Sequence, residues 1–113
     1  VFVDQDEQAV RAIRQNLDAL SLAARAQVSR AEVGRWLTAN PETVKRASLV
    51  LLDPPYNDAI LASALTLLDS LVAEGATVVA ERFHRQALPD LARLQLDRER
   101  RYGDTGVSVL VTG

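Results

Sequence analysis

Residues 47–57, ASLVLLDPPYN, limit the possible folds more than any other stretch of the chain. Leu49 to Leu52, preceded by Ala47 and Ser48, form an apolar run that stops at Asp53-Pro54-Pro55-Tyr56. A run of this kind, bounded by prolines, predicts a strand buried on both faces of a parallel sheet. The carboxyl end of such a strand is where α/β sheets place their ligands. Pro54 and Pro55 lack N–H groups, and Asp53, standing before a proline, is held extended. The turn therefore offers acceptors and few donors, with an aromatic ring beside them. It suits a neutral N–H donor better than a phosphate.

The flanking segments give this strand its setting. Val1-Phe2-Val3 is β-prone, and Val10, Ile13, Leu17 and Leu20 then recur at helical spacing, with Asp6 as N-cap and Glu7 in the first turn. Asp4 falls at the carboxyl end of that first strand, where nucleotide-binding α/β folds keep an acid for a ribose diol; the alternative is a solvated turn acid. Ser21 to Arg25 reads as a linker, Ala26-Gln27-Val28 as a short strand, and Ala31 to Ala39 as a helix stopped by Pro41. Trp36 and Leu37 are expected to face the core with Val33 one turn before, a tryptophan there serving packing more often than stacking. Glu42 to Arg46 reads as polar surface.

After Tyr56, Asn57-Asp58 can cap a helix whose stripe is Leu61, Ala64, Leu65, Leu68, Leu71 and Val72, with Gly75 at its end. Ala76 to Ala80 is a further buried strand, and Pro89 makes the next segment a short or broken helix. Leu94 to Tyr102 and Val107 to Val111, joined through Gly103-Asp104-Thr105-Gly106, read as an antiparallel hairpin. Strand and helix alternate up to that point, which predicts an α/β fold with a mostly parallel sheet and a C-terminal antiparallel hairpin. With 113 residues, 48% of them apolar, residues 1–113 are expected to form a single domain.

Composition removes several kinds of chemistry. The net charge of −2 is too balanced for nucleic-acid binding through a global field, so local patches must serve. Arg82 and Arg85 after one strand, with Arg98, Arg100 and Arg101 in the hairpin, are candidates for RNA contact; a solvated mixed-charge surface is the alternative. No cysteine and one histidine argue against a thiolate or histidine metal centre, and the lack of cysteine is compatible with a cytoplasmic location. His84 is expected at a surface or edge rather than in catalysis, and no Gly-x-Ser-x-Gly or phosphate-cradling loop occurs. Neither a window of about 18 apolar residues nor a basic-then-apolar leader is found, so no membrane span or signal peptide is expected. The opening on Val1-Phe2-Val3, in a chain without methionine, suggests that the first part of a longer protein is missing.

The acceptor-rich turn has one well-defined use. The lone pair of an exocyclic base amine is delocalised into the ring, which makes the nitrogen a poor nucleophile. Asp53 and the Pro54 carbonyl could accept its two N–H bonds and aim the lone pair at an electrophilic methyl group. Tyr56 could stack on an unpaired base, a contact worth about 1–3 kcal/mol. Most of the rate would come from orientation and electrostatics, with no metal required.

Asp53-Pro54-Pro55-Tyr56 resembles the catalytic motif of S-adenosylmethionine-dependent amino-methyltransferases acting on nucleic-acid bases. The opening VFVDQDEQAVRAIRQNL resembles the second strand and helix of the small-subunit rRNA guanine-N2 methyltransferases (the RsmD type), and RYGDTGVSVL resembles their closing hairpin. The resemblance implies a Rossmann-like class I methyltransferase sheet, S-adenosylmethionine as cofactor, and ribosomal RNA or the assembling small ribosomal subunit as partner. It places Asp4 and Gln5 at the cofactor ribose, Glu32 with Val33 at the adenine, and Asp53, Pro54, Pro55 and Tyr56 at the target amine and base.

Glu32 stands where that family more usually has aspartate or asparagine. The family's first strand and glycine-rich loop have no counterpart before Asp4. That strand would lie between those at Val1 and Leu49, so the sheet centre is expected to be vacant or repaired by direct pairing. The chain is thus expected to be the C-terminal part of a catalytic domain, weak in cofactor binding by itself and compatible with a monomer. An adenine-N6 DNA methyltransferase and a non-catalytic Rossmann-like binding module are the rival readings.

Overall fold

A computed structural model describes residues 1–55 and 58–113. The chain divides into two compact units, Val1–Ala39 and Asn40–Gly113. The described strands form two sheets, one in each unit.

In the first unit, β1 (Phe2–Asp4) and β2 (Val28–Arg30) pair in parallel, with Phe2 opposite Val28 and Asp4 opposite Arg30. β2 lies two residues later than the apolar pattern suggested, because its position is set by pairing with β1. The crossover is α1 (Glu7–Ala19), which buries Val10 and Leu17. Asp6 caps it as expected: its backbone is extended at φ −81° and its carboxylate accepts the Ala9 N–H at 3.0 Å. Helix α2 (Val33–Ala39) follows β2 and buries Leu37 while Trp36 is half-buried.

The second unit opens with a helix where the sequence pattern suggests polar surface. Pro41 does not merely stop α2; it is the first residue of α3 (Pro41–Arg46), where its missing N–H is no loss. Glu42 to Arg46 is therefore helical, and Val44 within it is buried. β3 (Leu49–Leu52) and β4 (Thr77–Phe83) run parallel, joined by α4 (Asp58–Leu71). The stripe predicted for α4 supplies a large part of the core, with Leu61, Ala64, Leu65, Leu68 and Val72 buried together with Val78, Ala80 and Leu110. Each such leucine contributes about 1.5–3 kcal/mol by leaving water. The proposed cap at Asn57 lies outside the described residues. Gly75 falls beyond α4, in the turn before β4, with φ 83°.

β5 (Leu94–Tyr102) and β6 (Thr105–Thr112) make the expected hairpin. Its two-residue loop begins with Gly103 at φ 62°, a conformation open to glycine at little cost. The sheet order is β3-β4-β6-β5, so β6 lies between its hairpin partner and β4, antiparallel to both. Pairing with β6 as far as Phe83 opposite Thr105 carries β4 three residues past the expected end at Ala80.

Two further expectations need correction. β3 is an edge strand rather than one buried on both faces: Leu49 and Leu51 are 56% and 73% exposed, and only Leu52 is buried. The alternation follows from the pleat, which turns successive side chains to opposite faces. Of the two outcomes expected at the sheet centre, direct pairing of β1 with β3 is not found among the described strands, which place the two in separate sheets. The segment around Pro89 is not helical either. Its end is tied instead to Asp69 of α4, whose carboxylate accepts the N–H groups of Ala92 (3.0 Å), Arg93 (2.9 Å) and Leu94 (2.7 Å).

Candidate functional site

The residues proposed from sequence fall into two groups, one in each unit. In the first, Asp4 ends β1 and is half-buried. Its Oδ1 accepts the Asp6 N–H at 2.9 Å, which closes the turn into α1 and fixes the carboxylate. Its carbonyl accepts the Ala31 N–H at 3.0 Å, extending the register with β2 by one bond. Oδ2 accepts nothing from the described residues, so a preoriented oxygen remains for a pair of vicinal hydroxyls. Gln5 follows in the same turn, its carbonyl held by the Arg30 Nε–H at 3.2 Å. Nothing in the sequence alone assigns Arg30 a role. The signal that identifies it is the register, which sets Arg30 opposite Asp4.

Glu32 and Val33 lie just after β2, at the same edge as Asp4 because the two strands are parallel. Glu32 Oε1 accepts the Gly34 N–H and Oε2 the Arg35 N–H, both at 2.9 Å, so this carboxylate caps the start of α2. Those bonds, from Gly34 first and Arg35 second, hold its carboxyl below the usual carboxylate value; the Arg35 charge adds to this against a small opposing effect of burial. Each oxygen retains a second lone pair for an amine. The Val33 N–H makes no hydrogen bond with the described residues. Donor and acceptor thus stand side by side, a pairing that fits an aminopurine edge.

In the second unit, Asp53, Pro54 and Pro55 leave the carboxyl end of β3. Asp53 is exposed, and its carboxylate accepts no hydrogen bond from a described residue. Pro54 is half-buried and Pro55 exposed. Tyr56, expected as the stacking ring, lies outside the described residues. His84 is half-buried, with Nδ1 3.0 Å from the Asp104 carbonyl and its ring edge-on to Phe83 at 4.8 Å. Among the described residues, no group of three His, Asp or Glu could hold a metal ion. No described helix is long and apolar enough to cross a membrane.

Both groups lie at strand carboxyl ends, where α/β sheets place their ligands. The profile of the family described as "Conserved hypothetical protein 95" matches residues 1–111. The chain belongs to that family. This Conserved hypothetical protein 95 member is similar to "Putative rRNA methyltransferase YlbH" of Bacillus subtilis (strain 168), at 35% identity over 112 residues. The match takes in 96% of this chain and 61% of YlbH, so the chain spans about three-fifths of that relative's length.

A Streptococcus pyogenes structure, described only as a conserved hypothetical protein, superposes with a TM-score of 0.86 at 27% identity, covering 98% of this chain and 69% of that one. An RNA methyltransferase from Salinibacter ruber, solved in complex with S-adenosyl-L-homocysteine, gives a TM-score of 0.64 at 16% identity, over 97% of this chain and 62% of that one. These likenesses bear out the Rossmann-like methyltransferase fold expected for this Conserved hypothetical protein 95 chain.

Arg82 does not fit the RNA-contact role considered for it. It is 7% exposed, and its guanidinium is spent on internal partners. The reason is register: Arg82 shares a sheet face with Val78 and Ala80, both fully buried, so the pleat turns its side chain inward. Arg85, Arg98, Arg100 and Arg101 are exposed.

Proposed function

We propose that the complete protein transfers a methyl group from S-adenosylmethionine to the exocyclic N2 amine of a guanine in small-subunit ribosomal RNA, and that residues 1–113 are the C-terminal part of its single catalytic domain. The observation that carries this reading is the Asp53-Pro54-Pro55 turn: an acceptor-rich end of β3, with a carboxylate that has no partner among the described residues, in a chain of this family. The name of YlbH supports rRNA as the substrate class, and the ligand of the Salinibacter structure supports the cofactor.

On this reading the cofactor supplies an electrophilic methyl group. Asp4 Oδ2 accepts from its ribose hydroxyls, with Gln5 in the same turn, while Glu32 and the Val33 N–H take the amine and ring nitrogen of its adenine. Asp53 and the Pro54 carbonyl accept the two hydrogens of the target amine. The nitrogen lone pair is thereby drawn out of conjugation and aimed at the methyl carbon, and Tyr56 stacks on the base. The amine proton is lost to solvent at the exposed Asp53 edge, so Asp53 acts chiefly as orienter. The substrate would be met in the cytoplasm, and no metal is needed.

The test is methyl transfer from labelled cofactor by the complete protein, with purified small ribosomal particles and duplex DNA offered side by side. Label on guanine N2 in the particle is expected. Label on adenine in DNA would establish the rival enzyme, and no transfer to either would favour a binding module. Asp53→Ala should lower transfer by about two orders of magnitude or more with cofactor affinity within about twofold. Equal losses in both would move Asp53 into the cofactor site.

A further inference from the structure

A buried cation needs a counter-charge and hydrogen bonds for each donor. Arg82 has both. Its Nη2 bonds to the Glu99 carboxylate, its Nε donates to Ser108 Oγ at 3.1 Å, and the Ser108 hydroxyl donates to Glu99 Oε1 at 3.2 Å. Ser108 is fully buried, so β4, β5 and β6 are pinned at one point.

The remaining donor serves a different end. Arg82 Nη1 donates to the carbonyls of His84 (3.3 Å) and Gln86. These flank Arg85 in the turn that ends β4, which the Gln86 N–H closes on the Phe83 carbonyl at 2.9 Å. The His84 N–H donates to the Asp104 carbonyl at 2.8 Å, and a Cβ on Gly106 would lie only 3.4 Å from the His84 Cα. The turn is thus gripped from below and from the side. Arg85, at its tip, is exposed and makes no ion pair with a described residue. Leu52 pairs with Ala80, so Arg82 lies two residues beyond the end of β3, at the sheet edge from which Asp53-Pro54-Pro55 departs.

We propose that Arg82 is a positioning residue: neutralised by Glu99, it holds the 83–86 turn so that Arg85 meets a phosphate of the RNA substrate beside the Asp53 turn. The assignment rests on RNA being the substrate. It gives the buried arginine a role that charge balance alone does not require, since Glu99 neutralises it without the two turn carbonyls.

The test uses the complete protein and an rRNA fragment, with binding followed by fluorescence anisotropy across a salt series. Arg85→Ala should reduce the slope of log K against log salt by about one, the loss of one phosphate contact. Arg82→Met should give the same reduction, Arg82→Lys a smaller one, and Arg82→Met with Arg85→Ala together no more than either alone. Cofactor affinity should stay unchanged throughout. Additive slope losses, or an unchanged slope in Arg82→Met, overturn the proposal.

If Arg82→Met fails to fold, Glu99→Gln keeps the shape and weakens the grip. Amide exchange at residues 84–86 should then quicken while Val78 to Ala80 stay protected, and the slope should fall toward that of Arg85→Ala. Faster exchange with an unchanged slope counts against the proposal. An unchanged slope in Arg85→Ala overturns this inference alone, whereas no salt-dependent RNA binding by the parent overturns the substrate reading and this inference with it.

Discussion

Asp69 ties α4 to residues 92–94, and its removal gives a calculable effect. It is 7% exposed and bonds three consecutive N–H groups: Oδ2 takes Ala92, and Oδ1 takes both Arg93 and Leu94. The Leu94 N–H is buried, so losing a charged acceptor there costs about 2 kcal/mol. The other two N–H groups are partly accessible to water and lose about 0.5–1 kcal/mol each. Asp69→Ala should therefore destabilise by roughly 3–4 kcal/mol, a large share of a total near 5–15 kcal/mol. Asp69→Asn keeps the oxygen that serves Arg93 and Leu94 but sets an amide against the Ala92 N–H. It should lose only about 1–2 kcal/mol.

The pH dependence has a defined sign. Burial raises the Asp69 pKa, but the three backbone donors and the Arg93 charge outweigh it and hold the carboxyl below its ordinary value. A depressed folded-state pKa contributes stability that is fully present above the unfolded carboxylate value, about 3.9, and is lost as pH falls through the folded one. Urea denaturation of the complete protein at pH 7 and near pH 3 measures both effects, the gap between parent and Asp69→Ala narrowing in acid. A difference below about 1 kcal/mol at pH 7, or Asn more damaging than Ala, would refute the three-donor account.

Three other outcomes are expected. Asp4→Ala should weaken cofactor binding by about tenfold or more, read by calorimetry on the complete protein, whereas Asp4→Asn, which keeps an oxygen for the Asp6 N–H, should weaken it less. Glu32→Ala should loosen the start of α2, seen as faster amide exchange at Gly34 and Arg35, and should weaken adenine-dependent binding; Glu32→Gln should retain part of the capping. Leu65→Ala should cost about 2–5 kcal/mol in urea denaturation without changing which base is methylated, because Leu65 is fully buried in the α4 core.

The alternation of strands and helices was legible because periodicity is local: the stripe on α4 and the cap at Asp6 both follow from spacing within a few residues. What could not be read depended on partners distant in sequence. Arg82 resembled a surface cation until pairing with β6 brought Ser108 beneath it, and Asp69 carried no local sign of bonding to residues 92–94. Pro41 could stop one helix or start the next, and the burial of Val44 goes with starting. In the candidate site, the positions of Asp4 and Asp53 at strand ends followed from sequence. The capping by Glu32 did not, because the same acid could equally have faced solvent.

The two outer strands of the four-stranded sheet are treated in opposite ways. β5 is irregular between Leu96 and Arg98 and then carries Arg98, Glu99, Arg100 and Arg101, a kink and a charge row that discourage any foreign strand from adding to it. β3 differs: among the described residues no strand pairs with its outer side, and LVLL bares two leucines. A polypeptide with that edge uncovered is a template for intermolecular β-addition. The strand that leads into the Asp53-Pro54-Pro55 turn is therefore also the point from which these 113 residues would be expected to self-associate at high concentration.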